Sequence, residues 1–245
     1  MLPFERRSKI MAALEEGIVY ISHLATSLDV SEITIRRDLK ELESENKLVM
    51  LHGGAAKKVD TSRETIISER QSLYRKEKDL IGELAAATVN DGDVIFIDSG
   101  TTNITMIKHL ADKQVTVVTN GFEVVNEAIR YNIPITSIGG DLKTETLAFV
   151  GAITNRVLDM YTFDKCFLGA NGIDKEFGYS NADPNESMIK EQAIKRSKQS
   201  YILADHSKFN AQSVFKFADL IEATIISDKT SKEFIELNIP MITTN

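Results

Sequence analysis

From about Lys76 onward the chain alternates short apolar runs with helical stretches, and this alternation constrains the fold more than any other feature. Val94-Ile-Phe-Ile97, Val115-Thr-Val-Val118 and the runs 135–138, 165–168, 201–204 and 223–226 all have strand length. Leu80, Ile81, Leu84 and Ala85 precede the first at helical spacing, and Ile104, Ile107 and Leu110 follow it in the same way. A strand without polar alternation is covered on both faces. Continuous apolar strands separated by helices therefore predict a parallel sheet with helices on each side. A chain of 245 residues holds one such α/β domain, here residues 76–245, with room for a small domain before it.

Ligands of such sheets bind just past the carboxyl ends of strands, and here those ends are polar. The run 94–97 leads into Asp98, Ser99, Gly100, Thr101 and Thr102, a glycine and hydroxyls ahead of an expected helix, a combination suited to phosphate. It is neither a nucleotide P-loop nor a dinucleotide fingerprint. The next ends are Thr119-Asn120-Gly121, Gly139-Gly140-Asp141, Gly169-Ala-Asn171-Gly and Asp205-His-Ser-Lys208. Each alone is also a plausible turn; together they predict one shared pocket. Asp98 and Asp205 could accept from sugar hydroxyls, Lys190 and Lys208 could neutralise a phosphate, and Asn120 and Asn171 could do either job for a polyol.

The first 57 residues carry a different pattern. Ile21, Leu24, Ala25 and Leu28 share one helical stripe, Asp29-Val30 breaks it, and Ser31 is a good N-cap for a second helix. That helix buries Ile35, Leu39 and Leu42 and leaves Thr34, Arg36, Arg37 and Lys40 free to face outward. Asn46 suits the turn that ends it. Residues 48–51 then read as a short strand closed by Gly53-Gly54, and an earlier helix is expected near residues 6–16. The sum is a winged helix-turn-helix, whose second helix suits the DNA major groove. Ser31, Thr34, Arg36, Arg37 and Lys40 are the expected DNA contacts, with His52 in the wing. Residues 58–75 read as a polar linker.

The run Val30-Ser-Glu-Ile-Thr-Ile-Arg-Arg-Asp-Leu-Lys-Glu-Leu42, followed by Leu51-His-Gly-Gly-Ala55, resembles the DeoR family of bacterial transcription regulators. One departure is Met50, where the family usually carries an arginine in the wing. The resemblance implies a repressor of a sugar-metabolism operon, with a C-terminal sensor for a phosphorylated sugar. It extends more weakly to ribose-5-phosphate isomerases, in which a hydroxyl-rich loop and an Asp-x-Ser-Lys segment hold the substrate phosphate. Those parts correspond to residues 99–102 and 205–208. By the same resemblance Glu186 and Lys190 would lie along the pocket. The isomerases' acid-rich catalytic loop is replaced here by residues 169–172, where Asn171 cannot act as a base.

Composition excludes several classes. The chain has no apolar run of membrane-spanning length and no apolar signal-peptide core. The single cysteine, Cys166, sits in an apolar run and fits a buried thiol in a reducing cytoplasm. The four histidines lack zinc-ligand spacing. No cofactor, metal or catalytic residue is expected. Residues 1–58 hold nine basic and nine acidic side chains, so DNA binding must rest on local placement within a homodimer or homotetramer. The remaining residues hold twenty basic and twenty-seven acidic, the whole of the net charge of −7. Two other readings compete: a sugar-phosphate isomerase with an accessory N-terminal domain, and a winged helix that binds protein.

Overall fold

A computed structural model describes residues 1–44, 47–51, 53–58 and 67–244. Asn46, His52 and the linker stretch 59–66 lie outside the described residues. The chain divides into two compact units, Met1–Asp60 and Thr61–Asn245.

The first unit runs α1 (Pro3–Glu15), β1 (Val19–Tyr20), α2 (Ile21–Ser27), α3 (Glu32–Ser44), β2 (Leu48–Leu51) and β3 (Ala55–Lys58). Its core is the expected stripe, with Ile10, Leu14, Ile21, Leu24, Ile35, Leu39, Leu42 and Leu48 all buried. Asp29 takes a left-handed backbone, φ 52°, and so ends the stripe of α2. The wing is larger than the sequence suggested. Lys58, read as the start of the linker, pairs in β3 with Leu48 beside the Lys57–Val49 pair, and β1 adds a third strand. Ala-Ala-Lys-Lys has weak strand preference by itself; cross-strand pairing overrides it.

The second unit begins within the span read as linker, with α4 (Ile67–Ser72), followed by α5 (Arg75–Ala87), β4 (Val94–Ile97), α6 (Thr101–Ile104), β5 (Thr116–Thr119), α7 (Phe122–Arg130) and β6 (Ile135–Ser137). Then come β7 (Asp141–Lys143), β8 (Ala148–Val150), α8 (Ala152–Leu158), β9 (Phe163–Gly169), β10 (Gly172–Asp174), β11 (Gly178–Asn181) and α9 (Pro184–Lys195). The rest is β12 (Ser197–Leu203), β13 (Phe215–Ala218), β14 (Thr224–Ser227), α10 (Lys232–Glu236) and β15 (Met241–Thr243). Seven strands form one sheet in the order β15-β14-β12-β9-β4-β5-β6, and every neighbouring pair is parallel. Ile95 and Ile97 pack toward α5 and α7, whereas Phe96 packs toward the opposite face with Ile189 and Ala193 of α9. Alternate residues are buried on opposite faces, which is why the run shows no polar positions.

Three features depart from expectation. The short final strand β15 extends the sheet, and two antiparallel pieces, β10-β11-β13 and β7-β8, stand beside it. The helix expected across residues 104–110 is a single turn, α6, followed by a 3-10 turn at Ile107–Leu110. Its dipole is correspondingly small, so the 99–102 loop must rely on N–H groups and hydroxyls and not on a helix field. Among the described residues, no helix is long and apolar enough to cross a membrane.

Candidate functional site

The reading helix is built as the sequence predicts. Ser31 accepts from the Thr34 backbone N–H (3.2 Å), and its hydroxyl lies 2.9 Å from that of Thr34, so the cap organises the first turn of α3. Arg36, Arg37 and Lys40 are exposed. Arg36 makes a loose, solvent-exposed pair with Glu32 at 3.6 Å, which costs little to release. Met50 is half-buried in β2 and donates its backbone N–H to Glu43 (3.0 Å), so it makes no substitute for a phosphate-binding arginine.

Two residues of this unit escaped the sequence reading. Asp38, between the outward arginines and Leu39, points inward and takes two N–H bonds from Arg6 of α1. Both are buried, and the carboxylate raises the Arg6 guanidinium pKa still further. Ile33 is 80% exposed in the first turn of α3. Lying off the buried stripe, it presents methyl groups on the outer side of the first turn of α3.

In the second unit the chain starts at β4, proceeds to β5 and β6, and returns to β9 on the other side of β4. The carboxyl ends of β4 and β9 therefore form the topological switch point, where α/β sheets bind ligands. Register places Ile97 beside Phe167 and Leu203 beside Gly169, so the loops after β4, β9 and β12 stand side by side. At the usual strand spacing, the first and third are about 10 Å apart. Thus the 98–102, 169–171 and 205–208 segments share one sheet edge. Asn171, half-exposed in the middle loop, donates its N–H to the Ser180 carbonyl (2.9 Å).

The polar groups here largely hold one another. Asp98 is buried and takes the backbone N–H groups of Ser99 (2.7 Å) and Gly169 (3.0 Å), together with an ion pair from buried Lys190. Lys190 also sits over the Phe217 ring, 5.8 Å from its centre. Lys190 thus pairs with Asp98; the sequence reading offered it to a ligand phosphate. Glu186, one turn earlier on α9, accepts from Thr146 (2.7 Å) and Asn181 (3.4 Å) and lies 3.5 Å from Lys143. Asp205 accepts from the Ser207 backbone (3.0 Å), which shapes the 205–208 turn and leaves Lys208 half-exposed. Gly140 packs against Thr154 of α8, and its φ of 120° suits a glycine; its part in the fold is close packing.

Asn120 enters the site because Gly121 follows it. A Cβ at Gly121 would stand 2.8 Å from the Ser99 Cα, so only glycine lets the β5 end lie against the β4 loop. Thr119 fixes the same turn, donating to the Ile97 carbonyl and accepting from the Gly121 N–H.

Three further residues were not singled out by sequence. Lys78 of α5 is buried; desolvation lowers its pKa to about 8, with Asp205 raising it and Lys208 and Arg70 lowering it further. Lys78 and Thr101 line one cleft of about 650 Å³, with Arg75, Lys108 and Arg130 further along it. Asp205 and Lys208 do not line this cleft, but both act on the Lys78 charge. His206 bonds Asp228 through its backbone N–H (2.8 Å) and ring Nδ1 (2.7 Å). Burial pushes Asp228 upward, yet the bonds and charge of His206 outweigh it and hold the carboxyl below its usual range. Tyr74, which opens α5 with a left-handed φ of 53°, sets its ring edge-on to His206, centres 5.2 Å apart.

Comparison with known proteins agrees in both units. Residues 6–63 match the DeoR-like helix-turn-helix domain, and residues 74–229 match the DeoR C terminal sensor domain. The HTH-type transcriptional regulator FruR of Bacillus subtilis (strain 168) is 41% identical over 229 residues, 93% of this chain and 91% of its own length. The lactose phosphotransferase system repressor of Staphylococcus epidermidis (strain ATCC 12228 / FDA PCI 1200) is 29% identical over 251 residues, covering 99% of this chain and 100% of its own. Among solved structures, ribose 5-phosphate isomerase A of Methanocaldococcus jannaschii overlays 55% of this chain and 54% of its own, with a TM-score of 0.42 and 20% identity. With a reading helix capped by Ser31, a polar sheet edge at the switch point, and both domains matched in order, this chain belongs to the DeoR family of helix-turn-helix transcription regulators.

Proposed function

We propose that this protein represses a sugar-metabolism operon and that a phosphorylated sugar, held at the β4–β9 sheet edge, modulates its grip on the operator. The observation that carries the reading is the convergence of the 98–102, 169–171 and 205–208 segments at the switch point of a domain that follows a winged helix. Hydroxyls of Ser99, Thr101 and Thr102 with the charges of Lys208 and Lys78 suit a phosphate; the asparagines suit the sugar. A relative that is itself a lactose phosphotransferase system repressor fits the same class of signal.

Binding without turnover is part of the proposal. Isomerisation needs a positioned acid/base pair. Asn171 has no basic atom, and Glu186 is buried among three partners. On DNA, Ser31, Thr34, Arg36, Arg37 and Lys40 would meet the major groove, with His52 at the backbone. A homodimer or homotetramer would engage half-sites about 34 Å apart. The effector shifts binding only by its different affinity for the two arrangements of the oligomer.

A mobility-shift titration of the operator, with and without a panel of sugar phosphates, tests the reading. Weakened DNA binding in the presence of one of them is expected. No response to any, combined with measurable turnover of one, would transfer the protein to the isomerase reading.

A further inference from the structure

Two buried amides flank the 99–102 loop, and both have one face unused. Asn103, fully buried in α6, donates its Nδ2 to the Phe167 carbonyl at 2.7 Å, while its Oδ1 has no partner. Asn120, also fully buried, donates its Nδ2 to the Phe149 carbonyl at 3.3 Å, and its Oδ1 has none either. A carbonyl can only accept, so each of these bonds fixes which end of the amide is nitrogen. The unused atom is therefore an acceptor in both cases. Among the described residues five buried side-chain polar atoms lack partners, and these two alone stand at the carboxyl ends of the central strands.

The surroundings of Asn103 Oδ1 show what it faces. A Cβ built on Gly100 would lie 3.0 Å from it, and one built on Gly169 would lie 3.6 Å from it. The Gly169 position is also 3.6 Å from Asp98 Oδ2. The Cβ position of each glycine is also 3.6–3.7 Å from the other's Cα, so Asn103 Oδ1 faces the junction of the loops after β4 and β9, at the switch point. Asn120 stands beside the same loop on the β5 side, because the next residue, Gly121, lies against Ser99.

An ionised phosphate oxygen has no proton to give, so a lone carbonyl acceptor repels it. A hydroxyl satisfies such an acceptor. We infer that Asn103 and Asn120 read hydroxyl groups of the effector, so the ligand must be a polyol phosphate with donor hydroxyls at both positions, not a bare phosphate or a fully oxidised acid. This rests on the effector reading above and assigns a division of labour within it. The threonine and serine hydroxyls and lysines take the phosphate; the two amides select the sugar.

The test is a cycle between protein and ligand on the full-length chain. Binding is measured by calorimetry for inorganic phosphate, glycerol 3-phosphate, fructose 1-phosphate, fructose 6-phosphate, glucose 6-phosphate and ribose 5-phosphate. The tightest sugar phosphate is then compared with its monodeoxy analogues. Wild type should lose about tenfold to a hundredfold affinity when the hydroxyl facing an amide is removed. In Asn103→Ala the same deletion should cost less than threefold, while binding of inorganic phosphate is unchanged. Asn120→Ala should show this for a different hydroxyl, and it carries the cycle alone if Asn103→Ala fails to fold.

Equal binding of the parent sugar and all its deoxy analogues by wild type overturns the inference without any variant. An undiminished deoxy penalty in both variants also overturns it, and would assign both acceptors to internal water. Failure of every sugar phosphate to bind wild type instead refutes the effector reading itself.

Discussion

Replacing Asp38 with alanine isolates one interaction whose size the structure allows to be worked out. The carboxylate is 1% exposed and Arg6 5%, and two N–H bonds join them, tying α1 to the inner face of α3. Asp38→Ala leaves a buried guanidinium without its hydrogen-bonded carboxylate, with Glu41 acting on it through charge alone. Removing one partner of a buried pair costs about 3–5 kcal/mol. Here the low end, about 3 kcal/mol, applies, because the unit is small and water can relax toward the charge. A unit of this size has on the order of 3–9 kcal/mol of stability in total. The unfolded fraction of the first unit should therefore rise by roughly a hundredfold, and its melting temperature should fall by about 12–24 °C.

Calorimetry of the full-length chain, with hydrogen exchange on α1 and α3 amides, reads this directly. Exchange in the sheet of the second unit should not change, and operator binding should weaken through loss of folded reading helix. The double variant Arg6→Met with Asp38→Ala separates mechanism from mere mutation. With the charge gone as well, most of the loss should be recovered. If Asp38→Ala melts within about 3 °C of wild type, or if the double variant is worse than the single, the pair does not hold α3 and the reasoning fails.

Lys78 gives an opposed pair of pH effects. Its folded pKa is about 8, against about 10.4 when unfolded. Between these values the unfolded chain binds the extra proton, so this group's contribution to stability rises with pH. Over the same window Lys78 loses the charge that would meet an anion, so sugar-phosphate affinity should fall by about tenfold from pH 7 to 9.5. Melting and titration against pH should both flatten in Lys78→Met; unaltered profiles would remove Lys78 from the site. Arg36→Ala or Arg37→Ala should cost roughly 1–3 kcal/mol on the operator if the contact is bidentate to guanine. A uniform loss on all sequences, with a shallower salt slope, would assign that arginine to phosphate instead. Ile33→Ala should relax a preference for thymine at one operator position, since its exposed methyls suit the thymine C5-methyl. Randomised-site selection that returns an unchanged motif would refute this. Gly121→Ala puts a methyl 2.8 Å from the Ser99 backbone, and overpacking of that kind costs about 1–3 kcal/mol. Effector response should fall further than stability alone accounts for, as judged by titration beside a thermal melt.

What could be read in the sequence, and what could not, divides along a physical line. Periodicity is local, so the stripes Ile21–Leu24 and Ile35–Leu39–Leu42 and the strands around Val94–Ile97 and Phe163–Gly169 were legible. Residue type at strand ends is local too, and it marked Ser99, Asn120 and Lys208. The strands β3 and β15 and the antiparallel pieces were not legible, because their residues gain strand structure only from pairing partners distant in sequence. The same limit governs the site. In the sequence, Asp98 and Lys190 are two charges ninety-two residues apart. Burial together forces them to neutralise each other, because an unpaired charge there would be far costlier. Under the proposed reading the phosphate would then be met chiefly by Lys208 and Lys78, the latter on a helix whose stripe gave no sign of a ligand. Asn103 shows the point most sharply. By sequence it is one more polar residue in a helix start, but with Nδ2 committed to Phe167 and two glycines in front of Oδ1, its meaning resides wholly in which atom is left over. A binding specificity of this kind is set by an unmet bond, and unmet bonds become visible only once every met one has been placed.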